Sequence, residues 1–250
     1  MAVARFGAAL RGGVAFLTRV PVGADERDWR RFQAVPAAFP LVGYLVGAVA
    51  AVPFLLLPTH AAALAYVAVL LALTGITHLD GVADLGDAAV VHDADGRREA
   101  LKDTTTGVGA VAAVALVVAG LALAGLALAG LPTPAAAGLV VASEVGAKLG
   151  MATVACFGTA GHEGLGSGFT RAADPVLLVG PAVASVPAAL LTGISPAAPV
   201  AVTCGPLVAV VVVRWADGAL GGVNGDVFGA VNELGRVLAL HAGVVTWTYF

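Results

Sequence analysis

Three aspartates stand out in HLDGVADLGD, residues 78–87. Asp80, Asp84 and Asp87 recur at i, i+4 and i+7, which puts them within an arc of about 60° on one helix face. Three carboxylates on one face repel each other unless a cation sits among them. Hard oxygen ligands of this kind suit Mg²⁺, Mn²⁺ or Ca²⁺. The plainer reading is a solvated acidic helix end. The stripe leaves an apolar run directly, with few other charges nearby, and this favours a metal.

Other polar segments carry related signals. In LKDTTTGVGA, residues 101–110, Lys102 and Asp103 precede an apolar run. Thr104, Thr105 and Thr106 are candidate caps for a helix there, and Gly107 and Gly109 let a ligand approach the backbone. Such a helix start is a natural anion site. Asp103 would adjoin the Asp80 stripe if the flanking spans pack antiparallel. GHEGLGSGF, residues 161–169, is a Gly-rich loop around Gly166 and Ser167 of the kind that cradles phosphate. GGVNGDVFGA, residues 221–230, brings Asn224, Gly225 and Asp226 to the start of the last apolar run. His78 and His162 border these motifs and are candidates for binding phosphate or relaying a proton. Glu144–Lys148 and Glu233–Arg236 are spaced to pair within a helix.

These motifs sit between apolar stretches. The chain has 250 residues, 59% hydrophobic and only 12% charged, against about 25% charged in soluble domains. A soluble core could not hide so much apolar side chain, whereas lipid can. A net charge of −3 gives no footprint for nucleic acid. Cys156 and Cys204 lie in apolar runs and read as small buried hydrophobes, with no disulfide framework or metal spacing. The first residues do not read as a signal peptide, because Arg11 and Arg19 interrupt the apolar run.

Seven stretches approach the ~20 residues a span requires: 36–57, 61–79, 107–130, 135–157, 175–193, 197–213 and 227–249. The expected fold is an all-α, polytopic membrane bundle of about seven helices, forming one membrane-embedded catalytic domain over residues 1–250. Phe6, Leu10, Val14 and Leu17 recur at helical spacing among Arg5, Arg11 and Arg19. They predict an interfacial amphipathic helix at the N-terminus. With a cytoplasmic N-terminus and an external C-terminus, eleven of the 13 basic residues fall inside, as the positive-inside rule asks. The acidic residues gather on the same face, which suits a multi-pass membrane enzyme with a cytosolic substrate.

The ordered set HLDGVAD, KDTTTGVGA, GHEGLGSGF and GGVNGDVFGA, with ELG at 233–235, resembles the adenosylcobinamide-GDP ribazoletransferases, or cobalamin synthases. FLTRVPV at 16–22 and FPLVG at 39–43 resemble that family too. The chain departs from it at Glu144, where the family often has Arg, at Ala88 in place of Gly, and at Asn224 in place of Thr.

The resemblance implies that adenosylcobinamide-GDP and α-ribazole, or its 5′-phosphate, give adenosylcobalamin, or its 5′-phosphate, and GMP. The ribose 3′-hydroxyl attacks the cobinamide-side phosphorus. It implies Mg²⁺, and the residues themselves make Asp80, Asp84 and Asp103 the first choices as its ligands, with Asp87 as a further ligand or a general base. Asp87 and His78 are the catalytic candidates. Lys102, Gly107, His162, Gly166, Ser167, Asn224, Gly225 and Asp226 would contact substrate. A homo-oligomer stays open.

Two other classes compete. A CDP-alcohol phosphotransferase would carry Ala-Arg shortly after Asp-Gly, but Ala83 is followed by Asp84. A divalent-cation transporter would need carboxylates facing each other at mid-membrane, and Glu144 and Glu233 both have basic neighbours.

Overall fold

The computed structural model describes residues 2–103 and 105–250. Thr104, one of the expected caps, lies outside the described residues. Twelve α-helices appear among those residues, with one isolated bridge between Ala160 and Val223.

α8 (Thr133–Phe157) is the axis of the bundle, and all but a few of its residues are buried. It packs against α3 (Ala38–Leu56), α11 (Ala197–Ala219) and α12 (Gly225–Tyr249). Small residues let these backbones close in, as helices in lipid do. A Cβ on Gly205 of α11 would lie 1.8 Å from the Gly146 carbonyl oxygen of α8. Only glycine fits that crossing.

The remaining expected spans are α4 (Thr59–Thr74), α7 (Val108–Leu128) and α10 (Val179–Ala189), the last entered through a 3-10 turn at Pro175–Leu178. Each expected stretch thus contains a helix, but not each is a full span. Four helices, α3, α7, α8 and α11, are long and apolar enough to cross, or six spans if two bent helix pairs each count as one. α12 is long enough at 25 residues but carries Asp226, Glu233 and Arg236. α10 has 11 residues, about 17 Å of helix, too short to cross by itself.

The second stretch also ends earlier than residue 79. α4 stops at Thr74, where Gly75 takes φ 73°, and the chain turns by 94° into α5 (Thr77–Val90). The aspartate stripe therefore rides on a separate helix. α5 crosses the starts of both α7 and α12. A Cβ on Gly86 would meet the Gly109 carbonyl at 2.7 Å, and one on Gly81 would meet that of Asp226 at 2.7 Å.

α1 (Ala2–Leu17) is helical as expected, with Phe6 exposed and Leu17 buried. It also docks on protein. Arg11 donates to both carboxylate oxygens of Asp28 on α2 (Glu26–Gln33), at 2.5 and 2.8 Å. Phe16 joins Trp29, Phe32, Phe39, Phe169 and Phe228 in a cluster of rings. Short helices α6 (Ala94–Ala100) and α9 (Leu165–Ala172) complete the polar end.

Candidate active site

The aspartate stripe divides. Asp80 and Asp84 lie one turn apart on α5, and Asp226 at the start of α12 comes within their electrostatic reach. The near-contact at Gly81 brings these two helices together. Among the described residues, none of these three carboxylates pairs with a lysine or arginine. Asp226 accepts from the Asn224 side-chain amide at 2.7 Å, while Asn224 Oδ1 caps α12 by accepting from the Val227 amide at 3.1 Å.

Asp87 turns the other way. Its carboxylate accepts from the amides of Gly107 at 2.8 Å and Ala110 at 2.9 Å. The anion expected at the start of α7 is thus a side chain of α5, and Gly107's amide is already engaged. The expected capping of α7 by threonines is not seen at Thr105 and Thr106. Gly107 is the N-cap residue, with no side-chain cap of its own. Asp103 borders a hollow shared with Asp87, Thr105 and Gly107, apart from the cavity that Asp80 lines. Its carboxylate accepts from the Thr105 amide at 2.9 Å. Lys102 is exposed beside it.

The cavity beside Asp80 has a volume of about 340 Å³. Asp226, His78, Gly166 and Gly225 also line it. Gly166 backs onto Asn224, where a Cβ would come within 2.9 Å. Ser167 is buried and occupied locally, accepting from the Gly164 amide at 3.1 Å and donating to its carbonyl at 2.8 Å. His162 is exposed, its Nδ1 2.9 Å from the Glu163 carbonyl, and lies within electrostatic reach of Asp226. Beside it, Arg171 pairs with Glu163 and holds that carboxyl below its usual range.

No three of His, Cys, Asp and Glu stand close enough among the described residues to share one ion. The donor set nevertheless fits Mg²⁺, which is usually held by one or two carboxylates and takes its other ligands from water and phosphate.

Behind this face lies a buried charged cluster that joins the two expected pairs across helices. Lys148 donates to Glu144 at 2.5 Å, and Arg236 of α12 bonds both Glu144 of α8 and its own neighbour Glu233. All four residues are at most 3% exposed. Glu144 has two cationic partners. Asn232 donates to Glu233 at 3.0 Å, and its amide nitrogen lies 3.1 Å from His78 Nδ1. Glu233 accepts only, so the Asn232 nitrogen must face it, and its second hydrogen goes to Nδ1. This assigns neutral His78 its proton on Nε2. Sequence spacing finds pairs within a helix but not the Arg236–Glu144 link, 92 residues apart. It also missed Asn232 and the ring cluster.

Fold and site together define a helical membrane protein with an acidic group, without a basic partner among the described residues, beside a cavity at one end of the bundle. The chain belongs to the cobalamin-5-phosphate synthase family, whose model matches residues 9–244. It is 50% identical to the adenosylcobinamide-GDP ribazoletransferase of Halorubrum lacusprofundi over 97% of this chain and 98% of that protein. Its identity to the Haloquadratum walsbyi protein of the same name is 46%, over 96% and 98%. For the Halobacterium salinarum protein it is 58%, over 76% and 96%. No solved structure matches the chain.

Proposed function

We propose that this chain joins α-ribazole, or α-ribazole 5′-phosphate, to adenosylcobinamide-GDP and releases GMP. The family and the names of the relatives support the reaction. The observation that carries the chemistry is the group Asp80, Asp84 and Asp226, without a basic partner among the described residues, beside a cavity.

Phosphoryl transfer depends on positioning and on neutralising oxygen charge. Asp80 and Asp84 would hold Mg²⁺, which when bound neutralises charge on the pyrophosphate. We assign Asp226 the proton of the attacking ribose 3′-hydroxyl, because it borders the same cavity. The new bond joins that oxygen to the cobinamide-side phosphorus. The bond to the bridging pyrophosphate oxygen breaks, and GMP leaves with it. His78 would donate through Nε2–H to a phosphate oxygen.

The same reading puts the acidic end and the N-terminus in the cytoplasm and the C-terminus outside. Cysteines introduced at Thr59 and Thr133 should label from outside intact cells, and one at Ala94 should not. The reverse pattern inverts this orientation.

The deciding experiment measures GMP release from adenosylcobinamide-GDP and α-ribazole by purified protein in lipid, with and without Mg²⁺. Release that requires both α-ribazole and metal is expected. CMP release from a CDP-alcohol, or metal uptake into vesicles without GMP release, would overturn the proposal.

A further inference from the structure

The cavity beside the aspartates has two unlike walls. One is polar, with Thr77, His78, Asp80 and Asp226. The other is made of Phe16 from α1, Met151 from α8, Phe169 from α9 and Phe228 from α12. Those rings are neighbours: Phe169 lies 5.8 Å from Phe16 and 5.4 Å from Phe228, centroid to centroid. An aromatic wall with a thioether is suited to a flat, apolar ring. The volume of about 340 Å³ lies near the lower end of small-molecule sites, which run from about 300 to 1,000 Å³. That is room for one nucleoside, and too little for a corrin macrocycle.

The geometry points to this cavity as the binding site of the nucleoside acceptor, with its benzimidazole base against Phe16, Phe169 and Phe228 and its ribose toward Asp80 and Asp226. The assignment rests on the transferase reading above and adds the subsite. A benzimidazole linked to ribose has no N–H and only one ring acceptor, its imine nitrogen. Guanine, the other base in the reaction, carries N–H donors and a carbonyl that would go unpaired against Phe and Met, at a cost. The corrinoid then stays outside the cavity and offers its phosphorus at the polar wall. The interfacial helix α1 becomes part of the site, because Ala15 and Phe16 close one side of it.

The test uses full-length protein in lipid nanodiscs, with EDTA, titrated with α-ribazole and separately with GMP. α-Ribazole has no phosphate, so its binding should survive without metal. Phe16→Leu keeps an apolar side chain but removes a ring. It should weaken α-ribazole binding about fivefold, the worth of one ring contact, and leave GMP binding unchanged. Ala15→Trp, on the exposed side of α1, should fill the mouth and abolish α-ribazole binding. In turnover assays Phe16→Leu should raise KM for α-ribazole and not for adenosylcobinamide-GDP. If both variants bind α-ribazole as the unmodified protein does while the enzyme is active, the cavity assignment is wrong. It is also wrong if they lose GMP binding instead. If no variant and no unmodified protein releases GMP with α-ribazole, the transferase reading itself falls.

Discussion

Asp87 of α5 closes the start of α7 through Gly107, whose amide donates to it at 2.8 Å, while the Ala110 amide donates to the other carboxylate oxygen. A Cβ at Gly107 would sit 2.4 Å from that carboxylate, so the cap and the glycine require each other. Asp87→Ala should cost about 1 kcal/mol, the usual price of a lost cap, and lower Tm. The Mg²⁺ concentration for half-maximal activity should not move. If turnover vanishes while Tm holds, Asp87 is a general base and not a cap.

Asp80 carries the opposite expectation. Asp80→Asn keeps size and polarity and removes one charge. Turnover should fall by about two orders of magnitude or more, on the scale of several kcal/mol that a metal contact supplies. Residual activity should need more Mg²⁺, with the protein still accumulating in the membrane. Asp95→Asn is the control, since Asp95 is exposed and paired with Arg98. Equal behaviour of the two variants would remove Asp80 from the metal site.

The His78 tautomer can be read by two substitutions. A glutamine amide nitrogen falls near the position of imidazole Nε2, and an asparagine's near Nδ1. If Nε2–H is the working donor, His78→Gln keeps more activity than His78→Asn at equal membrane levels. The reverse order would show that Nδ1, and with it the Asn232 contact, had been assigned wrongly.

Removing Arg236 leaves Glu144 and Glu233 buried with Lys148 as their one remaining cation in the cluster. Arg236→Met should destabilise by about 3–5 kcal/mol, as breaking a buried pair does. Adding Glu233→Gln, which leaves Glu144 and Lys148 as a neutral pair, should recover much of that loss. Thermal unfolding in detergent measures both. No recovery in the combined variant would mean that packing, not charge, is what Arg236 supplies.

The pH dependence of α1 follows from Asp28. A hydrogen bond from Arg11 is the main cause that holds its carboxyl below the ordinary 3.8. A depressed carboxyl stabilises the folded state above its ordinary value, and that stabilisation is lost as acid protonates it. Protection of the residue 2–17 amides from hydrogen exchange, relative to their intrinsic rates, should therefore stay high above about pH 4 and fall below it. Asp28→Asn should lower that protection throughout. A profile unchanged by Asp28→Asn would rule out this pair as the tie.

The sequence made the bundle legible because apolar length alone marks a helix in lipid. All seven stretches contain helices near the expected places. Length does not show a turn, so the 94° break at Gly75 was invisible, and the aspartate stripe looked like the end of a span. Periodicity placed Asp80, Asp84 and Asp87 on one helix correctly. It could not reveal that α7 would draw Asp87 away, or that Asp226 would approach Asp80 from α12, because both depend on how helices cross. The Arg236–Glu144 link was hidden for the same reason. Phe16 falls outside the stripe of Phe6, Leu10, Val14 and Leu17 and carried no signal of its own, because its cavity exists only after α1, α9 and α12 meet.

The cluster of Glu144, Lys148, Glu233 and Arg236 also bears on how the chain is put into the bilayer. Each helix brings one anion and one cation, Glu144 with Lys148 on α8 and Glu233 with Arg236 on α12. Entering hydrocarbon as a self-neutralised segment costs less than entering with a bare charge. Either helix can therefore be threaded into lipid before it has met the other. The Ala-, Gly- and Val-rich faces that then meet offer little to fix their alignment. Arg236 reaching Glu144 does fix it, since sliding by one turn, about 5.4 Å, would pull the guanidinium out of range. The charges act as an alignment key for late assembly, and through Asn232 the same key sets where His78 stands at the cavity wall.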